Sequence, residues 1–286
     1  MRFALRLATF LVASELLMSC SPGGSVLDRS IEAKRLAGEL RVLITQTAAA
    51  TNLAVMTTKD EDSKAFTRDA AEKTQRMQAT AGALRPILTQ LSLREELEML
   101  GKFEQHLAAY RQLDREIIEL TIENTNLKAQ RLSVGAVHEA AEAFRGAAEA
   151  LVSTASPEQH VLALSAVAAV REIEILEAPH IAEASDEEMT RLESQMRELE
   201  QSARRSLQEL IAHAPTENAS LTSAAEAALN RFFELHAQVM ALSRRNSNVR
   251  SLALVLGQKL MLTAQCEDDL RALSEALDKH RFVATR

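Results

Sequence analysis

The chain is poor in the residues from which sheets and reactive sites are built. Its 286 residues include 8 Gly, 5 Pro, 2 Cys and no Trp, and aromatics make up 3%. With no β-branched or aromatic run of useful length between Gly-rich turns, a sheet has nothing to form from. There is no Cys-x-x-Cys, no Gly-rich phosphate loop, no nucleophile elbow and no dinucleotide fingerprint. The seven His residues have no zinc or haem spacing. No basic cluster with stacking aromatics occurs, and the net charge of −7 opposes polyanions, so nucleic acid is excluded as a partner class. What remains is rich in Ala, Leu, Glu, Arg and Gln, which is the composition of helices. The expected fold class is all-α.

The first residues, MRFALRLATFLVASELLMSC, have a basic start at Arg2 and Arg6, an apolar stretch, and the tetrad Leu17-Met18-Ser19-Cys20. This is the anatomy of a secretory signal. The tetrad resembles a bacterial lipobox, which implies a signal peptide over 1–19, lipidation of Cys20 and a tether over 20–26. Ser21, in place of the Asp that commonly retains lipoproteins at the inner membrane, implies outer-membrane sorting of a periplasm-facing protein. Glu15 departs from the pattern, because a carboxylate inside the apolar stretch weakens insertion, and an uncleaved anchor is the alternative reading. With Cys20 lipidated, Cys266 has no intrachain partner, and its spacing from Leu256, Thr263, Leu270, Leu273 and Leu277 places it on an apolar stripe as an inert thiol.

Caps divide the remainder into eight helices. Ser92-Leu93-Arg94-Glu95 and Ser185-Asp186-Glu187-Glu188 read as capping boxes, Ser156-Pro157 as a cap before a first-turn proline, and Pro215-Thr216 as a further boundary. Helices are expected near 27–58, 62–90, 93–123, 127–153, 157–183, 186–213, 217–245 and 249–279. Apolar residues recur at helical spacing, as in Leu93, Leu97, Leu100, Leu107, Tyr110, Ile117 and Leu120, so each helix has one stripe to bury. Such stripes suit antiparallel bundles crossing at roughly 20° and ~40 Å long.

The sequence also repeats. A shift of 122 residues aligns Leu113, Leu120, Asn124-Thr125-Asn126, Leu132, Gly135 and Leu151 with Leu235, Leu242, Asn246-Ser247-Asn248, Leu254, Gly257 and Leu273. A shift of 123 aligns Thr67-Arg68 with Thr190-Arg191. The expectation is two tandem antiparallel four-helix units from an internal duplication, over 27–155 and 156–280, with a tail at 281–286. Asn124 and Asn246 are expected to end one helix in the left-handed conformation, and Asn126 and Asn248 to cap the next, reversing the chain. A polar pocket lined by these amides is the alternative. Close helix approach or a kink accounts for Gly135 and Gly257.

At residues 217–279, and more weakly at 92–152, the chain resembles the final helical hairpin of the extracytoplasmic four-helix-bundle sensor domains of methyl-accepting chemotaxis receptors. The stretch LSRRNSNVRSLALVLGQKLMLTAQCEDDLRAL, 242–273, carries most of the likeness. The tandem repeat is similar to the bimodular form of these sensors. The resemblance implies a non-enzymatic module that binds a small ligand between helices or docks a periplasmic binding protein; an envelope protein and a second copy of the chain are the partners to consider. No second membrane span, signalling coiled coil or kinase follows residue 279, so a separate membrane partner is expected. No ligand-contacting motif transfers residue by residue. Arg68 and Arg191, at equivalent points of the repeat, are the ligand-binding candidates, against an ordinary role as exposed charge at helix starts. One Glu-x-x-His, Glu177 to His180, lacks the second copy that a di-iron bundle needs and reads as fortuitous. No metal, cofactor or catalytic residue is assigned. The alternative function is a structural or assembly lipoprotein acting as a helical docking rod, which an exposed apolar stripe would favour over a polar interhelical pocket.

Overall fold

A computed structural model describes residues 25–152 and 156–280. The signal at 1–19, Cys20 with most of its tether, and the tail at 281–286 lie outside the described residues. Those described form α1 (Val26–Met56), α2 (Asp60–Gln90), α3 (Arg94–Glu123), α4 (Thr125–Leu132), α5 (His138–Leu151), α6 (Pro157–Ala182), α7 (Asp186–Ala212), α8 (Ala219–Arg245), α9 (Ser247–Leu254) and α10 (Leu260–Lys279). A π-helical turn, Ser133–Val137, joins α4 to α5, and its counterpart, Val255–Lys259, joins α9 to α10. Each pair is therefore one continuous rod, and the fold is all-α with no strand among the described residues.

Most boundaries follow cap chemistry. Ser156 and Gln159 form a capping box at α6, and Ser185 accepts the Glu188 amide at α7. A box that the sequence did not suggest, Ser25 with Asp28, starts α1. Ser92 does something else: with φ 58° it ends α2 in the left-handed conformation, so Leu93 precedes α3 and no side chain caps it.

The helices pack as two four-helix units, but not as the consecutive stretches 27–155 and 156–280. Unit one combines α1, α2 and α3 with α10, in a core that runs from Ala33 to Tyr110 and then takes Cys266, Leu270, Leu273 and Leu277. Unit two combines α4–α5 with α6, α7 and α8, in a core from Ala129 to Val239. The fourth helical rod of each repeat thus completes the other unit. Neither α3 with α4 nor α8 with α9 packs side by side, as a reversal would require. The Asn-Thr-Asn and Asn-Ser-Asn elements instead carry the chain across from one unit to the next. Each unit is about 40 Å long by helix rise, and the two meet end to end.

The π turns explain two local departures. One extra residue per turn rotates what precedes it, so Leu256 leaves the stripe that buries Cys266 and stands 66% exposed. Gly135 and Gly257 lie within these turns, and a Cβ built on either meets nothing within 4 Å. Close helix approach is therefore not their role. No described helix is long and apolar enough to cross a membrane.

Candidate functional site

Two polar assemblies stand out in this apolar scaffold. The first is the junction, where the two crossing segments meet face to face. Asn124 and Asn246 are left-handed, with φ 49° and 52°, and the residues after them pair across at the repeat interval. The Thr125 amide donates to Ser247 Oγ at 2.9 Å, and the Ser247 amide to Thr125 Oγ1 at 3.0 Å. The Asn126 and Asn248 amides each donate to the other's Oδ1 at 3.1 Å. Side-chain amides complete the pattern, Asn126 Nδ2 to Asn246 Oδ1 and Asn248 Nδ2 to Asn124 Oδ1, both at 2.7 Å. Neither Asn126 nor Asn248 caps a helix; each spends its side chain on the opposite strand of the crossing. The hairpin turns of both units tie in, because Asn124 Nδ2 reaches Asp60 and Asn246 Nδ2 the Glu183 carbonyl. Glu123 and Arg245, again equivalent in the repeat, pair beside them, with Nε to Oε2 at 2.8 Å. The side-chain amides and hydroxyls of residues 124–126 and 246–248 are engaged with one another and with the hairpin turns, so the junction acts as a clasp between the units.

The second assembly lies in unit two, one turn from the clasp. The Glu177 carboxylate is fully buried; Oε1 lies 2.8 Å from His236 Nδ1, and Oε2 accepts from Ser133 in the π turn. One turn on, His180 Nδ1 lies 2.8 Å from Ser243 Oγ and Nε2 lies 3.1 Å from Glu193 Oε1. Ser243 is also placed to donate to the His180 carbonyl at 3.0 Å. A neutral ring satisfies two of these three contacts and a doubly protonated ring all three, yet burial dominates and lowers the His180 pKa below its ordinary 6.5, against the pull of Glu193. Glu193 is gripped by the Arg244 fork, Nε to Oε1 at 2.5 Å and NH2 to Oε2 at 3.0 Å, and this bonding holds its pKa below 4.5. Arg244 also donates to Thr190 Oγ1 at 2.7 Å.

This network opens on a cavity of about 300 Å³ between α7 and α8, with Glu193, Arg197, Glu200, His236 and Arg244 around it and Met196 and Met240 as apolar walls. Its chemistry suits binding. Carboxylate, guanidinium and imidazole face one space, and Arg244 and Glu193 are engaged with each other, so a polar ligand that binds either of them trades contacts with the pair.

The candidates chosen from sequence are elsewhere. Arg68 is exposed on α2, its Nε 3.3 Å from the Lys64 carbonyl, and Arg191 is exposed on α7 in a fork with Glu188 at 2.8 and 2.9 Å. They lie in different units, and neither borders the α7–α8 cavity. Glu177 and His180, read from sequence as a fortuitous pair, are both fully buried and central to the network. A buried Glu and His one turn apart beside Pro179 was the available signal; their partners, Ser133, His236 and Ser243, come from other helices and gave none. No group of three or more His, Cys, Asp or Glu among the described residues could hold a metal.

No protein-family model matches the chain, and no curated protein matches it. Among solved structures it is similar to the TorS sensor domain, crystallised as a complex with TorT in the presence of TMAO. That match has 14% identity and a TM-score of 0.40, covering 89% of this chain and 100% of that one.

Proposed function

We propose that the protein is a non-enzymatic, exported helical-bundle sensory and binding protein, held to the membrane by a lipid on Cys20, whose ligand is a small polar molecule bound between α7 and α8. The observation that carries this reading is the buried network from Glu177 to Arg244 and its outlet on the 300 Å³ cavity. Buried ionic groups cost stability unless every partner is in place, and apolar residues of similar volume would pack at least as well. A binding role gives a reason to keep them. A ligand that takes Arg244 from Glu193 alters the contact between α7 and α8, and α8 continues through Asn246 into α9 and α10. A displacement of α8 can therefore reach the end of unit one beside Val26, where the chain approaches its anchor and a membrane partner can read it.

The test is a thermal-shift screen of small polar metabolites against the wild type and Arg244→Gln. At least one compound should raise the melting temperature of the wild type and leave the variant unmoved. A complete absence of shifts, or shifts equal in both, removes the cavity from the account. Palmitate labelling of the wild type and Cys20→Ser tests the anchor separately, since label on both or neither contradicts it.

A second reading, the docking rod, has its own support. Val161, Leu164 and Ile175 on α6 are more than 60% exposed. Under that reading these residues meet an envelope protein or a second copy, and charge substitutions such as Leu164→Glu abolish the association.

A further inference from the structure

The two units carry the same slot, between the second and third helices of each repeat, and close it differently. In unit two it lies further along the α7–α8 interface than the cavity of the buried network. There the Arg204 guanidinium stands 4.5 Å from the Phe233 ring centroid, with Nε 2.8 Å from Glu200 Oε1 and Nη1 2.9 Å from Asn230 Oδ1. A cation, a ring and a carboxylate of the chain itself occupy the slot, and about 190 Å³ is left beside Arg204 and Asn230.

The shift of 122 residues maps Glu226, Leu229, Asn230 and Phe233 on α8 to Glu104, Leu107, Ala108 and Arg111 on α3. These four line a cavity of about 350 Å³ in unit one, and the α2 wall opposite them presents only Gln78, Ala81 and Gly82. A Cβ built on Gly82 meets nothing within 4 Å. The ring and the asparagine amide are gone, and the cation has changed helices. Arg111 is half-buried at the cavity, and its guanidinium has no hydrogen bond or ion pair among the described residues. The cavity's carboxylate, Glu104, is already held, because Arg85 Nε lies 3.3 Å from its Oε1 and the other arm of the guanidinium reaches Oε2. The unmatched charge in this slot is therefore positive.

The Arg85–Glu104 pair also fixes the register. Seven residues back along α2 and seven on along α3 set Gln78 opposite Arg111, with Ala81 opposite Ala108 between the two levels. A guanidinium and a primary amide thus gather at one end of the cavity. One turn away Ala81, Leu107 and Ala108 form an apolar floor, and the ion pair closes the far end about 10 Å from Arg111 along α3.

We propose that this slot binds a small aromatic monocarboxylate, with its carboxylate on Arg111 and Gln78 and its ring on Ala81, Leu107 and Ala108. The ligand supplies the two parts that unit two builds from Glu200 and Phe233 and that unit one lacks. A guanidinium takes a carboxylate through parallel hydrogen bonds, and a benzene ring attached to that carboxylate reaches about one helical turn, which is the step to the apolar floor. The inference stands whether or not the α7–α8 cavity takes a ligand.

The test is calorimetric titration of the full chain, carrying Cys20→Ser so that no acyl group is attached, with benzoate. Saturable binding is expected. Benzamide, the neutral isostere, should bind about threefold to tenfold more weakly, in the range of an exposed to half-buried charge-assisted contact. Arg111→Gln should weaken benzoate by the same factor and erase its advantage over benzamide. Acetate, which has no ring to bury, should bind on the order of tenfold more weakly than benzoate. Ala108→Phe sets a ring of the chain's own on the floor and should abolish binding, while the melting temperature holds because the position is exposed. An absence of saturable benzoate binding overturns the proposal. So does benzamide or acetate binding as tightly as benzoate, or benzoate binding that Arg111→Gln and Ala108→Phe leave unchanged.

Discussion

The buried pair of unit one offers the sharpest energetic test. Lys259, in the π turn before α10, and Asp114 on α3 pair with side-chain exposures of 2% and 3%. Thr51 donates to the same Asp114 oxygen at 2.9 Å, and Lys259 Nζ lies 4.8 Å from the Tyr110 ring centroid. Asp114→Ala removes the anion and strands an ammonium ion in the core, which costs about 3–5 kcal/mol. At roughly 2–4 °C per kcal/mol for a fold of this size, the melting temperature should fall by roughly 6–20 °C. Removing both charges with Asp114→Leu and Lys259→Met should recover most of that loss or exceed the wild type, because apolar replacements of buried pairs are often neutral to stabilising. The pH dependence has a definite sign. Burial lowers the Lys259 pKa below 10.5 despite the pull of Asp114, so between the folded and unfolded values the unfolded chain binds more protons. Stability from this group is therefore gained as pH rises toward 10.5 and lost as pH falls through the folded value, and Lys259→Met removes that slope. Urea and thermal melts followed by circular dichroism at pH 7 and 9 measure all of this. An Asp114→Ala variant within about 1 kcal/mol of wild type, or a double variant as unstable as the single, would refute the reasoning.

Acid should act on unit two. With the His180 pKa below 6.5 and that of Glu193 below 4.5, the stability each contributes is present above its unfolded value and lost as pH falls through its folded one. The melting temperature should decline first below pH 6.5 and again below pH 4.5, and His180→Gln should flatten the first decline. At the clasp, Asn126→Ala and Asn248→Ala should each cost about 1–3 kcal/mol by orphaning buried amides. A double-mutant cycle on that pair should give a coupling of at least about 0.5 kcal/mol. Gly257→Ala has open space and a negative φ, so it should raise stability by up to about 1 kcal/mol.

The number of helical rods and most of their boundaries were legible in the sequence because caps and apolar spacing are local signals, whereas the π turns within two rods and the left-handed Ser92 were not. Ser156, Ser185 and the left-handed Asn124 and Asn246 do what their residue types suggest. Which helix packs with which was not legible. The repeat at 122 residues is equally compatible with each copy closing on itself and with each lending its last rod to the other, since the two arrangements bury the same stripes. The difference lies in one residue's geometry, whether the left-handed Asn turns the chain back or only bends it across. The site was hidden for a related reason: Ser133, Glu177, His180, Glu193, His236 and Ser243 converge from four helical rods, and only Glu177 and His180 are close in sequence. Arg68 and Arg191 drew notice through their repeat position, which carries no information about depth.

The exchange of the fourth rod between units is the claim on which the clasp, the cavity's position and the path from α8 to the chain terminus all depend. Its most direct test is to express three segments, 25–152, 156–280 and 124–245, and to follow their urea unfolding. The account predicts a cooperative transition for 124–245, which holds α4 through α8, and none for the two consecutive halves, each of which lacks its own fourth rod. Cooperative, monomeric unfolding of 25–152 and 156–280 would contradict it.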